Sequence, residues 1–309
     1  MTRNDFVRSF QIEGMNVRGR IVHLTDAADQ VIAAHGYPAT VSRVVGEALA
    51  LAALLGASLK FNGTLTVQTR SDGPLRMIVA DFRSPGDIRA CATFDREAVE
   101  MLGPRPSFKA LVGNGSIAIT IDPETDMERY QGVVPLEGDG IADGAIHYFD
   151  QSEQIPTSIK LSVATLNVRG PNGPQAHWRA GGILIQNLAT LGGIQVQPCP
   201  DDDRNHEDDW PRASALFSTV EPHELVDPLV EPERLLFRLF HEDGVRVFDV
   251  KPLRFACRCS SERVSDVLRQ YSEIELNELA DQDGLIRAKC EFCSATYSFA
   301  PDTLRQVSA

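Results

Sequence analysis

Long apolar runs are missing from this sequence. The longest strongly apolar stretch free of charge is residues 48–59, twelve residues between Glu47 and Lys60. A spanning helix needs about 18 or more apolar residues, so no transmembrane segment is expected. Residues 1–6 carry no basic stretch leading into an apolar core, so no secretory signal is expected either, and the simplest location is cytoplasmic. Positive charge is also short. Thirty Lys and Arg stand against 43 Asp and Glu, a net charge of −13. That excludes general attraction to nucleic acid or to an anionic membrane as the main business, and neither is expected as a partner. None of the five lysines follows a glycine, so a phosphate-cradling loop is absent and no nucleotide is expected. His-Glu-x-x-His and Gly-x-Ser-x-Gly are absent too, and the seven histidines are scattered. No nucleophile and base can be assembled, which argues against an enzyme. Six cysteines are too few for a disulfide scaffold, and a reducing compartment keeps them as thiols.

What is there divides into three stretches. Length alone suggests roughly two domains for 309 residues. Residues 1–186 read as an N-terminal mixed sheet-and-helix domain of the α+β class. Val45, Ala48, Leu49, Ala52, Leu55 and Leu59 predict a buried helix over 42–61. Asn62-Gly63 then leads into alternating Leu65 and Val67, and Asp72-Gly73-Pro74 into a strand over 75–79. Gly113 and Gly115 with Ala118 faintly mimic a dinucleotide fingerprint, but alternating Ile117, Ile119 and Ile121 predict a strand there instead of a helix. Residues 187–250 read as a linker, acidic and then helical. Residues 201–209 hold six acids and one Arg, flanked by Pro198, Pro200 and Pro211, and predict a solvated loop. Trp210, Ala213, Phe217 and Val220 share one helical face; Leu235, Leu236, Leu239 and Phe240 form another apolar patch. Groups of that size need a cover, or they become a sticky surface.

Residues 251–309 form a third unit, too small to stand on core burial alone. Val264, Val267, Leu268 and Tyr271 follow helical spacing, Ser272-x-x-Glu275 is a capping box, and 285–289 and 295–300 read as strands around Asp283-Gly284. Four cysteines lie here: Cys257-x-Cys259, then Cys290-x-x-Cys293. Two such pairs supply the four corners of a tetrahedral zinc site. In small units metal binding is folding free energy, about 10–16 kcal/mol. Such a site is either permanently structural or a redox switch, because metal-held thiolates are also nucleophiles whose oxidation removes the ligands. From 251 to 309 eight basic residues meet nine acidic ones, which argues against a nucleic-acid grip. Cys91 reads as a core thiol; Cys199, between two prolines beside the acidic run, reads as a dull one. His241 reads as a packing or capping residue.

The two cysteine pairs, at this separation and this close to the end of the chain, resemble the signature of the redox-regulated 33 kDa chaperonin family (heat shock protein 33). Other stretches share the resemblance: residues 68–74, Tyr130-Gln-Gly-Val-Val134, Ser152-Glu-Gln-Ile-Pro-Thr157, Ala180-Gly-Gly-Ile-Leu-Ile-Gln186 and Arg238-Leu-Phe-His-Glu242. The likeness covers residues 18–303. It implies an ATP-independent holdase that is inactive while reduced, with one Zn2+ per chain on Cys257, Cys259, Cys290 and Cys293. It implies that oxidation joins Cys257 to Cys259 and Cys290 to Cys293, releases zinc, and unfolds the linker and C-terminal domain. Unfolded client proteins are then bound, by a homodimer. Trp210, Phe217, Leu235, Leu236, Leu239 and Phe240 are the candidate client-binding residues, expected to be covered by 251–309 in the reduced state. The acidic stretch at 199–211 departs from the family's pattern inside the linker. An enzyme or interaction protein with a purely structural zinc ribbon remains the alternative.

Overall fold

The computed structural model describes residues 5–60, 62–124, 128–170, 173–187 and 208–304. Cys199 and the acidic stretch up to residue 207 lie outside the described residues. The chain divides into two compact units, 1–255 and 256–309.

The first unit opens with β1 (Phe6–Ile12), β2 (Val17–Leu24), α1 (Asp26–Ala33) and α2 (Ala39–Gly56). A strand run follows: β3 (Gly63–Ser71), β4 (Leu75–Arg83) and β5 (Asp87–Phe94). Two short helices, α3 (Arg96–Met101) and α4 (Phe108–Val112), precede β6 (Gly115–Pro123), β7 (Tyr130–Pro135) and α5 (Ile141–Tyr148). The long hairpin β8 (Thr157–Gly170) and β9 (Gly173–Asn187) comes next. Then come α6 (Asp209–Ser218), a 3-10 turn (Pro222–Leu225), α7 (Pro232–Phe240), β10 (Val245–Pro252) and the short β11 (Arg254–Phe255).

These strands make two sheets, in the orders β10-β1-β2-β9-β8 and β11-β5-β4-β3-β6-β7. All pairings are antiparallel except β11 with β5. The α+β expectation holds. Helix α2 touches strands of both sheets and is the spine of the main core. It is apolar nearly all round, which is the pattern of a fully buried helix. By length and composition it is long enough to cross a membrane, yet 83% of that stretch is buried inside the fold. It begins at Ala39, directly after Pro38, and ends at Gly56, earlier than the periodicity predicts.

The linker expectation needs correction in two respects. First, 187–250 does not end as helix, because β10 is a strand at the edge of the five-stranded sheet, paired antiparallel with β1 from Phe6↔Pro252 to Ile12↔Val245. Second, the cover over its apolar groups is that sheet itself. Successive strand residues point to opposite faces. Val7, Val22, Leu24 and Leu184 therefore face the α2 core, while Phe10, Ile12, Val17, Ile21, Ile183 and Ile185 face α6 and α7. Ala213, Phe217, Leu235, Leu236, Leu239 and Phe240 fill this second layer at 0–3% exposure, with Trp210 half-buried beside them. The Phe10 and Phe240 rings stack 6.0 Å apart. A glycine lets the layer close. A Cβ on Gly181 of β9 would stand 1.9 Å from the Leu225 carbonyl oxygen.

The second unit holds α8 (Ser261–Leu268), α9 (Glu273–Glu278), β12 (Ile286–Lys289), β13 (Thr296–Phe299) and α10 (Pro301–Leu304). Ser272 and Glu275 form the expected capping box at α9. Among the described residues its core is four buried side chains, Leu268, Leu276, Ile286 and Leu304. Val267 and Tyr271, expected on the buried face with Val264 and Leu268, are 56% and 46% exposed. So thin a layer of structure covers only one strip of α8.

Candidate metal centre

The four C-terminal cysteines arrive at one point by two local devices. Cys257 and Cys259 lie in the irregular chain between β11 and α8. The Ser260 hydroxyl caps α8 by accepting from the Arg263 amide at 3.3 Å. The Arg263 guanidinium donates to the Arg258 carbonyl at 2.8 Å, so the residue between the two cysteines is tied to the helix start. Cys290 and Cys293 lie in the turn between β12 and β13. There the Cys290 amide donates to the Ala295 carbonyl at 2.8 Å, and the Ser294 amide to the Cys290 carbonyl at 2.9 Å. Ser294 takes the left-handed conformation, φ +58°, that this reversal requires.

All four sulfurs lie within 4.8 Å of one another. Cys257 Sγ is 3.4 Å from Cys259 Sγ and 3.6 Å from Cys290 Sγ, and Cys259 Sγ is 3.3 Å from Cys293 Sγ. A tetrahedral ion with sulfur ligands at about 2.3 Å sets the sulfurs roughly 3.8 Å apart, so the donor set fits one metal ion. The Tyr297 hydroxyl donates to Cys259 Sγ at 3.2 Å. Burial pushes the Cys257 thiol up and the Cys293 thiol up to about 12. Burial also raises Cys259, but hydrogen bonds from Tyr297 and from the neighbouring thiols outweigh it and bring Cys259 down to about 7. A cluster in which the first thiolate raises the cost of the others is one that a cation completes.

The structure thus gathers the four expected ligands in one place. The six apolar candidates form part of a separate cluster in the first unit, packed on their own sheet. Cys91 is buried on β5, in keeping with a core thiol. His241 caps α7 with Nδ1 3.0 Å from the Phe237 carbonyl. Two residues escaped the sequence reading. Tyr297 carried a weak signal, an aromatic in strand alternation soon after the second pair. Lys160 of β8 carried none. Its ammonium donates to the carbonyls of Ser218 and Val220 at 2.6 Å each and lies 5.9 Å from the Phe217 ring centre.

Comparison with known proteins agrees with this geometry. The profile of the family described as Hsp33 protein matches residues 5–300. This chain belongs to that family. A 33 kDa chaperonin of Caulobacter vibrioides (strain NA1000 / CB15N) is 45% identical over 301 residues, covering 96% of this chain and 95% of that protein. One from Ectopseudomonas mendocina is 34% identical over 307 residues, covering 99% and 96%. The crystal structure of the Thermotoga maritima 33 kDa chaperonin, a heat shock protein 33 homologue, superposes with a TM-score of 0.75. It covers 97% of this Hsp33 family member and 96% of its own chain, at 20% identity, and so supports the fold.

Proposed function

We propose that this Hsp33 family member is a redox-regulated, ATP-independent holdase of the cytoplasm. The observation that carries the reading is the cluster of four sulfurs in a unit with only four buried apolar side chains among its described residues. One Zn2+ per chain on Cys257, Cys259, Cys290 and Cys293 supplies the stabilisation that so small a core does not. In this state the protein is inactive. Peroxide takes two electrons from a pair of thiolates, its O–O bond breaks, an S–S bond forms, and two solvent protons convert the oxygens to water. Neighbours join, Cys257 to Cys259 and Cys290 to Cys293. Loops that short constrain the unfolded chain little, so the disulfides do not replace the lost metal. The C-terminal unit unfolds. Cys257 follows β11 and β10 in the chain, and β10 is paired on one side only, at the sheet edge, so disorder spreads from there towards α7 and α6. Trp210, Phe217, Leu235, Leu236, Leu239 and Phe240 then become free to bind unfolding clients, in a homodimer.

The test measures released zinc, free thiols and suppression of client aggregation together, during peroxide treatment with mild heat. The three should change in step. Protection of the client with zinc retained and thiols intact would overturn the reading. Cys290→Ser should abolish high-affinity zinc binding, read as metal per chain by mass spectrometry under native conditions; full occupancy in that variant contradicts the ligand assignment.

A further inference from the structure

We propose that Tyr297 sets how readily this centre reacts with oxidants: its phenol donates a hydrogen bond to the Cys259 sulfur, draws electron density from it, and slows oxidation and metal loss. The inference rests on the proposed role of the four cysteines as redox-active metal ligands. The hydroxyl is placed by the hairpin. Tyr297 pairs with Ala288 across β12 and β13. Strand alternation leaves Thr296 and Ser298 exposed and turns Tyr297 and Phe299 inward. Phe299 packs against the small apolar core, which anchors the strand. The Tyr297 Oη–Cys259 Sγ distance of 3.2 Å is then a fixed contact between a rigid ring and one ligand.

The chemical consequence follows from what sulfur must do. To react with peroxide, a thiolate gives a lone pair to oxygen as the O–O bond breaks, forming a sulfenic acid and hydroxide. A second thiolate displaces hydroxide from that sulfur. Two electrons leave the sulfur pair, one S–S bond forms, and two solvent protons convert the two hydroxides to water. The metal leaves with its ligands spent. Tyr297 keeps its proton throughout. A donor resting on the Cys259 lone pair must be weakened as that pair is given away, and sulfur nucleophilicity falls as basicity falls. Tyr297 is therefore a positioning and tuning residue, outside the ligand set.

The test compares reduced, zinc-loaded full-length protein with Tyr297→Phe, and with Tyr271→Phe as a control at a 46% exposed tyrosine of the same unit. Zinc release in limiting peroxide is followed with a chromogenic chelator, and each protein is also loaded with Co2+ to record its sulfur-to-metal charge-transfer band. Tyr297→Phe should still bind one metal per chain, release zinc about 3- to 10-fold faster, and shift the charge-transfer band to longer wavelength. Tyr271→Phe should match the parent in all three. Equal release rates and an unmoved band for Tyr297→Phe overturn the proposal. Should Tyr297→Phe fail to load metal, 3-fluorotyrosine encoded at 297 keeps the shape and strengthens the donor. Release must then slow, and an unchanged rate overturns the proposal. A parent protein that holds its zinc in peroxide defeats the redox reading itself, an outcome distinct from equal rates in parent and variant.

Discussion

Lys160→Met is the sharpest test of what holds the connector helices down. Lys160 stands on β8, and its ammonium serves the C-terminal end of α6 by donating to the carbonyls of Ser218 and Val220, 2.6 Å each. A cation there also answers the helix dipole. Methionine keeps the length and the apolar stem but removes the donor, leaving two carbonyls without it. Hydrogen bonds from a charged group contribute about 1.5–3 kcal/mol each. The Ser218 carbonyl lies on the exposed side, where water replaces most of that, so the two together come to about 2–3 kcal/mol. The Phe217 ring contact at 5.9 Å adds about 0.5 kcal/mol. A local loss of about 3 kcal/mol raises the undocked population of α6 roughly 100-fold. Native-state amide exchange read by mass spectrometry should show that drop in protection for peptides spanning 209–220, with α2 peptides unchanged. Under the proposed function, the reduced zinc-loaded variant should also suppress client aggregation without oxidant. If the 209–220 amides keep their protection, Lys160 does not hold the helix and the argument fails.

Other consequences can be measured alongside. Phe240→Ala removes a ring that is 0% exposed and stacked on Phe10, so urea denaturation should report a loss of about 3–5 kcal/mol, against no more than about 1 kcal/mol for Phe237→Ala at a 63% exposed position of the same helix. His23 is held down to about 4 by burial first and by Arg179 second, with Glu233 pulling the other way. The unfolded chain protonates this imidazole near 6.5 and the folded chain only near 4, so its neutral form contributes undiminished stability above pH 6.5. Between pH 6.5 and 4 the first unit should lose about 3 kcal/mol through this residue, and His23→Gln should flatten that part of the stability–pH curve relative to the parent; parallel curves would refute the assignment.

The residues that could be read from sequence share a property: their signal does not depend on what packs against them. Cysteine spacing reports ligand geometry wherever the unit sits, and Ser272 with Glu275 forms its box within one helical turn. Leu65 and Val67 alternate because β3 has one buried face. The inner part of β9, residues 180–185, gave no alternation because both of its faces are buried there. Leu184 meets the α2 core and Ile183 and Ile185 meet the connector helices, so the run is continuously apolar. Strand β10 failed for the opposite reason: it is mostly exposed, and its pairing with β1 makes it a strand. The connector cover was misassigned because an amphipathic helix declares an apolar face but never names its partner, and two of the partner strands, β1 and β2, lie some 200 residues earlier.

That correction changes the energetic problem a redox switch must solve. If the C-terminal unit were the cover, its unfolding alone would bare the connector. With the sheet as cover, Phe217, Leu235, Leu236, Leu239 and Phe240 stay buried until α6 and α7 leave the strands. Fully burying each such side chain contributes about 1.5–3 kcal/mol, so the layer does not open merely because a neighbour in sequence has melted. Release has to lower the cost of undocking along the connector itself. Among the described residues, its polar ties to the sheet side include Arg8 to Glu233, Asn16 to Asp209, and Lys160 to the end of α6. Two of these three start from β1 or from the turn that follows it, and β1 is the strand whose outer edge β10 covers. Loss of β10 would strip that edge of its pairing and loosen the same strand that carries Phe10, Ile12 and Arg8. Under the proposed function, strand β10 is thus the element through which disorder beginning at Cys257 would reach the apolar layer.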